Sequence, residues 1–145
     1  GTCIKDSKGK GLGAYTETPI LSGAWVGEYK GELLTLDQVQ SRYWGSRKKN
    51  AADRRWIRSR KQRNQGLTGD YLFDMGDDLY IDGEDTDISS WCRFMNHASE
   101  DMQQCNVETR HTGQIWDGTE MIQPRLWYVA MRDIQVGEEL LYDYA

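Results

Sequence analysis

Apolar residues in this chain recur in short, interrupted runs rather than at long helical spacing. Residues 12–16 and 24–30 read as extended, separated by the turn signals Pro19 and Gly23. Gly31-Glu32-Leu33-Leu34 closes this part, and Thr35 follows as an N-cap with Gln38 three residues on, a capping-box pattern. Leu36, Val39 and Tyr43 then fall at helical spacing, which predicts a short amphipathic helix ending near Gly45. A second helix is expected around Trp56 and Ile57. Tyr71-Leu72-Phe73-Asp74-Met75 and Leu79-Tyr80-Ile81-Asp82 are β-prone runs flanking Gly76-Asp77-Asp78, a hairpin signal. Residues 89–95 suggest a helical turn capped by Asp87 or Ser89. Strand-like runs follow at 105–111 and 125–132, then a Val136-Gly137 turn and a last run from Leu140 to Tyr144. Many short strands with little helix predict a mainly β fold of several small sheets.

Composition narrows the class. The chain has 145 residues, 38% hydrophobic and 11% aromatic, enough for a single core and against global disorder. No apolar run approaches the roughly 18 residues of a membrane span, and no membrane partner is expected. The amino terminus, GTCIKDSKGKG, lacks the apolar stretch of a signal peptide. Cys3, Cys92 and Cys105 are odd in number and far apart, so a reducing, intracellular setting is expected rather than a disulfide framework. With no CxxC and only His97 and His111, no metal site is expected from this chain.

The net charge of −5 conceals an asymmetry. Residues 42–63 hold ten of the eighteen Lys and Arg and one acid, Asp53, so this segment carries +9 and the remainder −14. An acidic body favours a basic partner. The basic segment either contacts nucleic-acid phosphate or is a solvated face.

Three constellations could carry chemistry. In Lys8-Gly9-Lys10-Gly11-Leu12-Gly13, glycines let the backbone approach a ligand. A dinucleotide-type phosphate loop fits badly, because no apolar strand precedes it and no helical pattern follows. Arg93-Phe94-Met95-Asn96-His97 and Glu138-Glu139-Leu140-Leu141-Tyr142-Asp143-Tyr144 are each unremarkable alone, the first a structural Asn-His pair and the second a strand with core tyrosines.

Taken in order, these stretches resemble the SET-domain protein lysine methyltransferases over nearly the full chain. Glu28-Tyr29-Lys30-Gly31-Glu32-Leu33 looks like that family's tyrosine-x-glycine strand, and Tyr71-Leu72-Phe73-Asp74 like its next element. Residues 93–97 are similar to its RFxNH motif and 138–144 to its closing EELxYDY motif. The resemblance implies one SET domain over 1–145 with a C-terminal pseudoknot and a short basic, partly helical insertion at about 35–66. It implies S-adenosylmethionine as methyl donor, held by Lys8, Gly9 and Lys10 through their backbone, by Tyr71, and by Asn96 and His97. It implies a lysine channel lined by Tyr29, Tyr142 and Tyr144, with Tyr144 beside the transferred methyl and Tyr142 limiting the product mainly to monomethyl-lysine. The implied partner is a basic protein, a histone tail foremost, in the nucleus, with nucleosomal DNA as a further contact of residues 42–63. Two departures stand out: residues 98–104 intervene between His97 and Cys105-Asn106, and no cysteine-rich post-SET segment follows Tyr144 within the sequence. The rival readings are a catalytically silent SET-like binding module and a nucleic-acid- or nucleosome-binding domain led by the basic segment.

Overall fold

The computed structural model describes residues 1–7, 9, 11–98, 104–113 and 115–143. In chain order the strands are β1 (Thr2–Ser7), β2 (Gly11–Thr16), β3 (Trp25–Glu28) and β4 (Glu32–Thr35). The helices α1 (Leu36–Val39) and α2 (Ala51–Gln62) follow, with a π-type turn Gln40–Trp44 after α1. Next come β5 (Leu72–Gly76), β6 (Leu79–Asp82), a 3-10 turn Trp91–Phe94 and β7 (Asn96–His97). The chain closes with β8 (Val107–Thr112), β9 (Ile115–Trp116), β10 (Met121–Ile122), β11 (Arg125–Ala130) and β12 (Leu141–Tyr142). The mainly β expectation holds, and the strands form five small sheets among the described residues. They fall into two compact units, one of residues 1–29 and 94–145, the other of residues 30–93.

In the first unit β11 lies between β3 and β8, antiparallel to both. Leu126, Tyr128 and Ala130 alternate inward along β11, at most 3% exposed, the period-2 pattern of a strand with one buried face. β1 and β2 form an antiparallel hairpin with Ser7 opposite Gly11. A strand therefore precedes the glycine loop, though not an apolar one. Thr2–Ser7 lacks a continuous apolar run because it is paired through its backbone and half exposed. Nor does a helix follow the loop, since the next element is β2. The hairpin β9–β10 was not expected either, although Asp117-Gly118 is a turn signal. There Asp117 Oδ1 accepts from the amides of Thr119 and Glu120, both at 2.8 Å.

The second unit is a three-stranded sheet, β4-β6-β5, with both helices in the same unit. The capping box read at Thr35 is present: its hydroxyl accepts from the Gln38 amide, and Gln38 Oε1 accepts from the Thr35 amide at 2.9 Å. Gly45, at φ +70°, ends that helical stretch. α2 carries a second capping box that the sequence reading missed, between Asn50 and Asp53. The 71–82 hairpin turns at Asp77 and Asp78, both at positive φ as a type I′ turn requires. The helical turn near residue 90 is shorter than expected. Ser90 Oγ accepts from the Cys92 amide at 3.4 Å, in the place assigned to Asp87 or Ser89.

Three members of the basic segment serve the interior of this unit. Arg60 is 1% exposed, donating to Asp82 (3.0 Å), Glu32 (3.2 Å), the Tyr43 hydroxyl (3.0 Å) and the Gly66 carbonyl (2.8 Å), with the Trp56 ring 4.4 Å from its guanidinium. Arg42 pairs with Asp53 at 2.8 Å, and Arg63 with Asp85 at 2.8 Å and Asp87 at 2.7 Å. Burial and the Asp82 carboxylate hold the Tyr43 phenol well above its usual range, so it stays a donor to that carboxylate. A buried charge persists only when paired and hydrogen-bonded, and Arg60 meets that condition with four partners.

Candidate functional site

The site begins with two very short strands. β7 and β12 pair in parallel, with Leu141 opposite Asn96 and Tyr142 opposite His97. Two residues per strand make a weak ladder, so other contacts hold the register. The Ala98 amide donates to the Tyr142 carbonyl at 2.8 Å. Asn106, 1% exposed, supplies the rest: its Nδ2 donates to the Glu139 carbonyl at 2.7 Å, and its Oδ1 accepts from the Leu141 amide at 2.9 Å. Its own amide donates to the Leu141 carbonyl at 3.0 Å. An asparagine presents one donor and one acceptor side by side, as a peptide group does, so Asn106 acts as an extra strand position beside β12.

Glu139 ties this pair to the glycine-rich front end. Its neighbourhood is set by backbone contacts: Leu140 donates to the Ala14 carbonyl at 2.8 Å and Gly137 to that of Thr16 at 2.8 Å. The carboxylate then accepts from Ser7 Oγ (2.9 Å) and the Tyr15 hydroxyl (3.4 Å) on one oxygen, and from Asn96 Nδ2 (2.8 Å) on the other. Asn96 Nδ2 also donates to the Leu12 carbonyl at 3.0 Å. Both amide hydrogens of Asn96 are thus committed, which fixes the direction of its carbonyl oxygen. Gly13 sits against this cluster: a Cβ there would overlap Glu139 Oε2 and lie 3.0 Å from both Asn96 Nδ2 and Ser7 Cβ. Only a residue without a side chain admits the carboxylate so close to the backbone.

The remaining site residues divide as follows. Asn96, His97 and Tyr142 are brought together by the β7–β12 pair, Tyr142 at 3% exposure and the His97 side chain exposed. Tyr29, 6% exposed, lies in the same unit, its amide donating to the Leu126 carbonyl at 2.9 Å. Gly9, exposed at φ +77°, lies between β1 and β2, and a Cβ there would meet nothing within 4 Å among the described residues. Tyr71 belongs to the second unit, its ring 4.1 Å below the Arg93 guanidinium, which also donates to the Glu84 carbonyl at 2.8 Å. Lys8, Lys10 and Tyr144 lie outside the described residues. Cys105 is buried, and that burial, with Asp143 nearby, pushes its thiol upward, away from the thiolate a metal would bind.

Sequence reading missed three contributors. Tyr128, fully buried, packs edge-on against Tyr142 with ring centroids 5.2 Å apart. Its signal was the strand alternation of 125–130. Glu139 and Asn106 left no periodic signal, because their roles depend on pairing with distant segments.

A family model described as SET domain matches residues 11–145. The chain belongs to the SET-domain family. Histone-lysine N-methyltransferase SUV39H1-A of Danio rerio is similar to this SET domain, 33% identical over 146 residues, which cover 98% of the chain and 29% of that protein. Histone-lysine N-methyltransferase ASHH3 of Arabidopsis thaliana is 29% identical over 134 residues, covering 92% of the chain and 29% of that protein. The SET domain described here thus spans less than a third of the length of either relative. Among solved structures, ctPRC2 in an autoinhibited conformation bound to S-adenosylmethionine has the same fold at a TM-score of 0.62 and 23% identity, over 99% of this chain and 15% of that one.

Proposed function

We propose that this SET domain is an S-adenosylmethionine-dependent protein-lysine N-methyltransferase that acts on a basic protein, a histone tail foremost, and adds mainly one methyl group. The observation that carries the proposal is the meeting of the glycine-rich hairpin, the Asn96-His97 strand and the Leu141-Tyr142 strand around Glu139. The names of the relatives and of the donor-bound neighbour supply the reaction class.

The chain's residues suit that donor. At Gly9 and Gly11, both at positive φ, a Cβ would meet nothing within 4 Å among the described residues, so these two positions leave room for a ligand. Asn96 offers its carbonyl oxygen as acceptor because its amide nitrogen is engaged elsewhere. In this reading Lys8, Gly9 and Lys10 hold the methionine part through their backbone. Tyr71 supports the same ligand, and Asn96 and His97 hold the adenosine part. Glu139 is a positioning residue that keeps the Asn96 amide from turning.

S-adenosylmethionine, when bound, supplies a methyl group on a positively charged sulfur. The protein's part is to present the lysine nitrogen uncharged and in line. A lysine of reference pKa near 10.4 is deprotonated at pH 7 only at a cost of roughly 4.6 kcal/mol. A desolvated channel lined by Tyr29, Tyr142 and Tyr144 lowers that cost by disfavouring the ammonium, and tyrosine hydroxyls orient the amine. Tyr142, packed on Tyr128, retains a hydroxyl that restricts further methylation. A histone substrate would place the reaction in the nucleus, and DNA around that histone would meet the basic segment 42–63.

The test is incubation with labelled donor and a panel of histones, nucleosomes and other basic proteins, with mass spectrometry to count methyl groups. We expect mainly monomethyl-lysine, a shift upward with Tyr142→Phe, and near-complete loss of transfer with Tyr144→Phe. Donor binding without transfer to any protein would establish the silent module instead, and efficient trimethylation by the wild type would remove the inference from Tyr142.

A further inference from the structure

We infer that the outward face of α2, with the turn before it, docks the phosphodiester backbone of duplex DNA. The inference takes its partner from the chromatin reading above but stands on the second unit alone. Of the ten basic residues in 42–63, Arg42, Arg60 and Arg63 are consumed by Asp53, Asp82, Glu32, Asp85 and Asp87, and Arg47 pairs with Asp37 at 3.1 Å. The other six, Lys48, Lys49, Arg54, Arg55, Arg58 and Lys61, are exposed and have no acid within ion-pairing distance among the described residues. This occurs in a chain where acids outnumber bases, 23 to 18.

The arrangement differs from an ordinary solvated face. A helix that merely faces water interleaves opposite charges at i, i+3 and i, i+4, where they attract. On α2, Arg54 faces Arg58, Arg55 faces Arg58, and Arg58 faces Lys61 at those spacings, so every such neighbour repels. The opposite face, with Asp53, Trp56 and Arg60, is committed to the interior. The helix therefore carries an uncompensated cationic stripe whose repulsion is relieved by an anion. Arg54 to Lys61 spans about 10 Å of helix axis, the reach of about three phosphates on one strand. The guanidinium fork matches phosphate oxygens, and the regular, dense charge of a phosphodiester backbone lets several cations of one stripe bind at once, which isolated carboxylates do not.

The experiment measures anisotropy of a labelled DNA duplex against the 145-residue chain over a range of salt, without methyl donor. Six phosphate contacts, one for each of these cations, give a log-log salt slope near −5.4, so a fourfold rise in salt weakens binding about 1,800-fold. The variant Arg54→Gln/Arg55→Gln/Arg58→Gln/Lys61→Gln changes only exposed side chains, and circular dichroism verifies its fold. It should lose most of that slope, whereas Arg110→Gln/Arg125→Gln, whose arginines already have acid partners, should retain it. Should the variant refold poorly, Lys48→Gln/Lys49→Gln, outside the helix, should lower the slope by about 1.8. Equal binding by wild type and both α2-region variants, salt-independent binding, or tighter binding to polyglutamate than to duplex would overturn the inference. Methyl transfer to a free histone peptide, measured in parallel, reports on the enzymatic reading separately.

Discussion

Replacing Asn106 by alanine tests how much one side chain contributes to holding the closing strand in register. The side chain satisfies two backbone groups, the Glu139 carbonyl at 2.7 Å and the Leu141 amide at 2.9 Å, and the residue is 1% exposed. Water cannot easily replace it in so closed a position. Leaving a buried donor or acceptor unsatisfied costs about 1–3 kcal/mol, so the pair should cost about 2–6 kcal/mol. For a domain of this size that corresponds to a melting temperature lower by roughly 6–18 °C. Urea unfolding followed by tryptophan fluorescence measures the loss directly, at unchanged m-value. Asn106→Asp sharpens the test. It keeps the acceptor for Leu141, but its carboxylate faces the Glu139 carbonyl, and only the protonated acid donates there. Burial raises that carboxyl's folded pKa, so the deficit against wild type should shrink as pH falls through it. A deficit below about 0.5 kcal/mol for Asn106→Ala, the usual scatter of surface changes, would refute the strand-like role.

Gly13→Ala should destabilise the first unit by about 1–3 kcal/mol in the same assay, because the new methyl must displace the Glu139 carboxylate that Ser7 and Asn96 hold. An unchanged urea midpoint would mean that Glu139 moves aside freely. The second prediction concerns acid. The Arg63 guanidinium beside Asp85 holds its carboxyl below the usual range, against the opposing effect of burial. A folded value depressed below the unfolded one stabilises above the unfolded pKa of about 3.9, and that stability is lost as pH falls through the folded value. Melting temperatures from about pH 5 down to about pH 2 should therefore fall less steeply for Asp85→Asn than for wild type. Parallel curves would show that the pair contributes no pH dependence.

Local signals and distant ones were unequally legible. The Thr35–Gln38 capping box, the 71–82 hairpin and the helix about Trp56 rest on residues close in sequence, and each has the form its pattern implied. β7 and β12 are two residues long, too short for any alternation, so their pairing could come only from the resemblance of their motifs. Arg60 misled composition counting. It stands with Asp53 and Trp56 on the inward face of α2, where periodicity expects apolar residues, and only the acids of β4 and β6 make that burial tolerable. Counting charges along the segment therefore overstated its outward charge. Asn96, Tyr142 and Glu139 all stood in quoted motifs, but the roles of Glu139 and Asn106 were not legible, because their hydrogen-bond partners lie in distant segments.

That difference bears on how the site comes into being. The hydrogen bonds that assemble it join residues 43, 84 and 132 positions apart, between Asn96 and Glu139, Leu12 and Asn96, and Ser7 and Glu139. Closing such loops costs entropy before any contact rewards it, so these contacts form after the local hairpins. Two of the three end on the Glu139 carboxylate and two start from the Asn96 amide, so each holds a group that another also uses. The proposed donor site is therefore not carried by one sheet but is closed by distant segments of the first unit. A ligand that binds only the assembled site stabilises the folded unit by RT ln(1 + L/Kd) at free concentration L, so its effect on the melting temperature grows with ligand concentration.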